Sequence, residues 1–138
     1  MKNVLLINAA LTILLLSDTY AGSTHDQRMA ATTPYPWPAG SRLLQDLGVL
    51  AFTLDHVDLI MPTRKPRGRA LTRAQKAANR RIARRRVRIE HVNSRVQRCR
   101  IVHDTSRLRK AGVRDLIMDV CCALHNFRVR LTPWQPMV

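Results

Sequence analysis

Acid is what this chain has least of. Nine acidic residues face 24 lysines and arginines in 138 residues, a formal charge of +15, and Glu90 is the only glutamate. Cysteine is scarce and odd in number, at Cys99, Cys121 and Cys122, with two adjacent. That excludes a regular disulfide framework and favours a reducing compartment, where buried thiols act as small hydrophobes. No CxxC or Cys/His ligand spacing suggests zinc; Cys121 and His125, four apart, fit core packing better than a metal site. The apolar start, Val4–Leu16, is too short and interrupted for a comfortable transmembrane helix. No internal repeat is visible, and the length allows one modest domain or a piece of a larger one.

The positive charge is concentrated. Residues 64–110 hold 18 Lys/Arg against Glu90 and Asp104, a local +16, while the remainder of the chain sums to −1. A basic block between near-neutral, apolar-rich segments fits a folded body with a polyanion-binding surface, not a disordered basic tail. Arginine outnumbers lysine there, which favours forked contacts to phosphate oxygens. Nucleic acid is the natural partner, although charge alone names only the class.

Two readings of the N-terminus stay open on pattern alone. Met1-Lys2, the apolar run and Thr19-Tyr20-Ala21-Gly22 have the layout of a secretory signal peptide. Equally, Val4–Asn8 and Leu11–Tyr20 read as two buried strands joined by a turn at Asn8-Ala9-Ala10. Further along, a short helix is expected around Gln27–Ala31 and strands at Ser41–Gln45 and Val57–Met61, with Pro34–Gly40 a proline-broken loop. Trp37 and Trp134 read as loop anchors. Thr72 is a suitable N-cap for a long helix to about Arg100, with Ala78, Ile82, Ile89, Val92, Val96 and Cys99 on one stripe. Arg86, Glu90, Asn93 and Gln97 share another face. A last helix, about Gly112–Arg130, is expected to bury Val113, Leu116, Ile117, Val120, Leu124 and Phe127. Strands first and a helix-rich basic half afterwards indicate an α/β body completed by C-terminal helices.

Two carboxylates stand out. Asp46 ends an expected strand immediately before Leu47-Gly48, and Glu90 projects from the arginine-rich helix. Brought together in a cationic cleft, they would bind divalent metal suited to phosphodiester cleavage. The simpler reading of Glu90 by spacing is a surface bridge to Arg86, worth about 0.5 kcal/mol.

The blocks Gln45-Asp46-Leu47-Gly48, Pro62-Thr63-Arg64-Lys65-Pro66-Arg67-Gly68, Leu71-Thr72, Ala77-Ala78-Asn79-Arg80, Arg86-Val87-Arg88-Ile89-Glu90-His91 and Cys121-Cys122-Ala123-Leu124-His125-Asn126-Phe127-Arg128 follow one another at distinctive spacings. Together with Lys2–Ile7 and Gly22–Asp26, they resemble the C-terminal half of insertion-sequence DDE transposases of the Harbinger-like group. The resemblance spans nearly all of residues 1–138. It implies a partial ribonuclease-H-like fold, a mixed sheet with helices, missing its first strand; the hydrophobic start then reads as core strands. By the same resemblance, Asp46 and Glu90 match the second and third catalytic, metal-binding carboxylates, with Mg2+ or Mn2+ in a two-metal site. Arg80, Arg81, Arg84, Arg85, Arg86, Arg88, Arg95 and Arg98 become DNA-binding candidates, and His25 and Asp26 supporting residues. The implied partners are DNA, as element ends and target, an upstream transposase polypeptide and further copies of the chain, in a bacterial cytoplasm.

The sequence departs from the family pattern in three places. The first catalytic aspartate has no counterpart, and neither Asp18 nor Asp26 aligns with it. Val49 stands where an aromatic is usual, and Gln97 where a lysine is expected. The expectation is therefore a transposase segment inactive alone. The alternatives are a non-catalytic basic nucleic-acid-binding protein and a secreted cationic protein.

Overall fold

The computed structural model describes residues 2–33, 35, 37–45, 54–103 and 112–133. In chain order the elements are β1 (Leu5–Ile7), β2 (Ile13–Leu16), α1 (Asp26–Thr32), β3 (Ser41–Leu44), β4 (Val57–Ile60), α2 (Arg73–Gln97), α3 (Arg100–His103) and α4 (Val113–Leu131). They fall into two compact units, one from residues 1–23 and 88–138, the other from residues 24–87.

The first unit begins with the hairpin. β1 and β2 pair antiparallel, Leu5 with Leu16 and Leu6 with Leu15, and the register slips before Ile7 meets Ile13. Asn8 shapes the turn: its side-chain oxygen accepts from the amides of Ala10 (3.0 Å) and Thr12 (2.9 Å). This is the local side-chain capping that makes asparagine a turn residue. Leu11 then adopts a left-handed backbone, φ 67°, yet is fully buried. A non-glycine residue there costs about 1–2 kcal/mol, which the burial of a leucine side chain offsets. The expectation of core strands at the N-terminus holds, since Leu11 and Ile13 enter the core with Val92, Val96, Cys121, Cys122 and Val129.

Helix α4 grips this hairpin by polar contacts as well. The Asn126 amide clamps Ile13, accepting from its N–H at 2.7 Å and donating to its carbonyl at 2.9 Å. His125 Nε2 donates to the Leu11 carbonyl at 2.8 Å, and Asp115 accepts from the Thr19 amide at 2.8 Å. The three acceptors and donors recur on one side of α4, so that side is the inner one.

That orientation corrects an expectation. Leu116, Val120, Leu124 and Phe127, assigned to the core by their spacing, are 62, 50, 57 and 60 % exposed, and Leu131 is 67 % exposed. The buried residues of α4 are Cys121, Cys122, His125 and Val129. The helix is apolar on two sides, and periodicity alone cannot say which side meets the hairpin.

In the second unit, β3 and β4 pair parallel, Ser41 with Val57 through Leu44 with Ile60. The Arg42–Asp58 pair across them, at 3.9 Å, is exposed on both sides and contributes little. α1 buries Met29 and Ala30 and opens at His25–Asp26, with the Met29 amide bonded to the His25 carbonyl at 3.1 Å. The architecture is α/β, as expected. Among the described residues the antiparallel and parallel pairs are separate two-stranded sheets, not one mixed sheet.

Candidate nucleic-acid interface and carboxylate site

Helix α2 carries most of the candidate residues, and its start is well defined. Thr72 and Gln75 form a reciprocal capping box: the Gln75 amide donates to Thr72 Oγ1 (3.2 Å) and the Thr72 amide to Gln75 Oε1 (2.9 Å). One turn later Asn79 holds the preceding chain, accepting from the Thr63 amide at 2.8 Å and donating to its carbonyl at 2.9 Å. Asn79 thus repeats, on the solvent side, what Asn126 does in the hairpin unit. Twenty-five residues of helix give a rod about 37 Å long.

The helix holds eight arginines and one lysine against Glu90. At 100° per residue, Arg80, Arg81, Arg84 and Arg85 spread over one broad face and are all exposed. Gln75, Ala78, Asn79, Ile82 and Arg86 lie half-buried on the other side. Past that point Val92 and Val96 are buried and Ile89 and Cys99 half-buried, in line with the apolar stripe expected there.

The eight candidate arginines are not equivalent. Arg80, Arg81, Arg84, Arg85 and Arg98 are exposed, and Arg86, Arg88 and Arg95 are half-buried. Arg88 donates to the Ala9 carbonyl at 3.3 Å, so part of its guanidinium serves the hairpin turn. Adjacency in sequence misses this division, because helical rotation sends neighbouring arginines to different faces.

Glu90 is exposed and shares its face with Arg86, Asn93 and Gln97, as the spacing requires. The Arg86–Glu90 bridge, the simpler expectation, does not form: among the described residues no ion pair joins the two side chains. Most of the exposed arginines point to the opposite side of α2 from Glu90, so the local charge around this carboxylate is lower than the sequence implies. Asp46, Val49 and Trp134 lie outside the described residues. Asp18, His25 and Asp26 are exposed.

A divalent ion needs several oxygen donors converging on one point. Glu90 offers one unbridged carboxylate suited to that task. Among the described residues, no group of three or more His, Cys, Asp or Glu side chains stands close enough to hold a metal.

The cysteines are no substitute. All three are free, and Cys121 and Cys122 are buried. Burial, reinforced by a hydrogen bond with Cys99, pushes the Cys121 thiol up to about 11, and burial with nearby Asp119 does the same for Cys122. Thiols so hard to ionise are poor nucleophiles and poor metal ligands at neutral pH, which fits their expected role as small core residues. His125 is engaged by Leu11, and its Nδ1 is buried without a partner.

His125 is buried, as its spacing from Cys121 suggests, but its bond to Leu11 and the backbone clamps of Asn126 and Asn79 do not follow from the sequence blocks that contain them. Asparagine recurring beside apolar helix positions is a usable signal for such a contact.

Comparison with known proteins agrees with this picture. The chain matches the model of the DDE superfamily endonuclease family over residues 1–126. It is 26% identical over 133 residues to a Microchaete diplosiphon protein named "Probable transposase for insertion sequence element IS702". That alignment takes in 95% of this chain and 47% of the relative, so the chain spans about half the length of the curated relative it matches. No solved structure gives a significant match. With the hairpin, the clamping residues Asn79 and Asn126, and Glu90 all inside a match that runs from the first residue to Asn126, this chain belongs to the DDE superfamily endonucleases.

Proposed function

We propose that this chain is the C-terminal part of the catalytic domain of an insertion-sequence DDE transposase, with residues 1–138 in one catalytic module and the basic segment 64–110 toward DNA. The observation that carries the reading is the family match over residues 1–126, which includes Asp46, the arginine helix and Glu90 in one stretch. Asp46 and Glu90 serve as two of the metal-binding carboxylates for Mg2+ or Mn2+, the ions that would activate water and stabilise the leaving oxygen in strand cleavage. Divalent metal use is general in this superfamily. The exposed arginines Arg80, Arg81, Arg84 and Arg85 take the DNA backbone, because guanidinium forks match phosphate oxygens. His25 and Asp26 support the fold at the start of α1. No first catalytic aspartate aligns in this sequence, so the chain alone binds DNA without cutting it. An upstream transposase polypeptide is the implied partner, in a bacterial cytoplasm.

The test uses this chain alone and joined to the portion of the relative that it does not match. The joined protein nicks element-end DNA only with Mg2+ or Mn2+, and Glu90→Gln abolishes nicking while leaving DNA binding equal or slightly tighter. Normal nicking by the Glu90→Gln variant would overturn the assignment.

A further inference from the structure

Residues 64–71, on the way from β4 to α2, form a basic loop that is held at both ends. Thr63, just before it, is bonded twice to Asn79, at 2.8 and 2.9 Å. Thr72, just after it, closes the capping box with Gln75. Both anchors lie in the first two turns of α2, so the loop rises from a rigid base. Arg64, Lys65, Arg67 and Arg69 are all exposed, and no acid occurs anywhere in residues 62–72. None of the four cations has a partner among the described residues.

The tip of the loop has a shape that phosphate contact alone does not require. The chain turns at Arg67-Gly68, and Gly68 takes a left-handed φ of 76°, which glycine adopts freely. A Cβ placed on Gly68 would meet nothing within 4 Å, so the tip stands clear of the other described residues. Pro66 stiffens the approach to the turn. The result is a bare strip of backbone with an arginine on each side.

We propose that residues 66–69 enter the minor groove of double-stranded DNA and select runs of A·T pairs. The groove is about 6 Å wide, too narrow for a helix such as α2 but open to a chain without side-chain bulk. At Gly68 no side chain holds the backbone away from the groove floor. Arg67 and Arg69 then lie along the groove in both directions, where A·T runs narrow it and concentrate negative potential. A G·C pair puts the guanine N2 amino group on that floor, in the way of the glycine. Because both ends of the loop are already fixed, little ordering is left to oppose binding.

This inference rests on the reading of the chain as a DNA-binding protein and adds the groove and the base composition it prefers. The loop and the exposed arginines Arg80, Arg81, Arg84 and Arg85 belong to one compact unit. The helix arginines hold phosphates, which positions the protein without reading sequence, and the loop supplies the preference.

Fluorescence anisotropy of the whole chain at one fixed salt concentration tests this. Three duplexes are compared, differing only in a short central run of A·T, G·C or inosine·cytosine pairs. Inosine lacks the guanine amino group, so the third duplex has the minor groove of A·T and the major groove of G·C. The A·T and inosine duplexes are expected to bind at least about fivefold more tightly than the G·C duplex. Arg67→Ala/Arg69→Ala and, separately, Gly68→Val lower the A·T affinity and remove the preference, valine being strained at this φ and too bulky for the floor. Arg84→Ala weakens binding to all three duplexes and leaves their ratio as it was. Circular dichroism checks that each variant folds, and two independent loop variants guard against one that does not. Equal binding to A·T and G·C, an inosine duplex that behaves like G·C, or a preference that survives in Arg67→Ala/Arg69→Ala would each overturn the proposal. So would double-stranded RNA binding as tightly as the A·T duplex, because its minor groove is wide and shallow and only its phosphates would be shared. Binding without preference overturns this inference alone, whereas no binding to any duplex overturns the DNA-binding reading with it.

Discussion

Removing Asn126's amide should cost far more than removing Asn79's, although both make the same two hydrogen bonds. Asn126 accepts from Ile13 N–H at 2.7 Å and donates to Ile13 C=O at 2.9 Å in a partly buried setting beside the core. Asn79, itself half-buried, does the same to Thr63 at 2.8 and 2.9 Å, but Thr63 is exposed and these bonds are open to solvent. In Asn126→Ala, two backbone groups lose their partners where water cannot easily replace them, at about 1–2 kcal/mol each, so the expected loss is about 2–4 kcal/mol. In Asn79→Ala water takes over, and the loss should stay near 0.5–1 kcal/mol. Asn126→Asp keeps the acceptor for the Ile13 amide but sets an anion against the Ile13 carbonyl, so it should lose at least half of what alanine loses. A 138-residue chain has a total stability on the order of 10 kcal/mol, so the Asn126 change is a large fraction of it. Urea unfolding followed by circular dichroism measures all three, with unchanged m-values as the check that only stability moved. Equal losses at Asn126 and Asn79, or an Asn126→Ala loss under about 0.5 kcal/mol, would refute the claim that burial sets the value of the clamp.

Three further outcomes follow from the same structure. Leu11 combines full burial with φ 67°, so Leu11→Ala should cost about 2–5 kcal/mol while Leu11→Gly costs no more, glycine recovering about 1 kcal/mol of backbone strain; thermal melts compare the two, and a clearly worse glycine variant contradicts the reading. The Cys121 and Cys122 thiols, ordinarily at 9.0, sit at about 11 in the folded chain. A folded value raised above the unfolded one means their contribution is complete below pH 9.0 and is lost as pH rises toward about 11. Melting temperature should fall in that window, and a Cys121→Ala/Cys122→Ala chain should show a shallower fall. For DNA, the four exposed arginines Arg80, Arg81, Arg84 and Arg85 predict a slope of about −4 in log K against log salt for their share of binding, reduced by about one when Arg84 is replaced by alanine. Filter binding at several salt concentrations reads this, and a flat dependence would remove phosphate contact from the account.

Local chemistry made much of this molecule legible from its residues. Thr72 capped the long helix because a hydroxyl followed three residues later by glutamine closes the same box in any surroundings. Asn8 marked the hairpin turn because its side chain bonds backbone only two and four residues away. Arg86, Glu90, Asn93 and Gln97 share a face because helical rotation fixes it. The family resemblance rested on blocks of this kind and agrees with the match over residues 1–126. The tertiary structure decided what depends on distant partners. Helix α4 is apolar on two sides, and the side with Cys121, Cys122, His125 and Val129 is the inner one, where His125 and Asn126 meet the hairpin backbone at Leu11 and Ile13. The arginine run divides in the same way, since Arg88 is drawn to the Ala9 carbonyl while Arg84 and Arg85 remain in solvent. Periodicity sets which residues share a face, but hydrogen bonds across more than a hundred residues of sequence determine which face is buried.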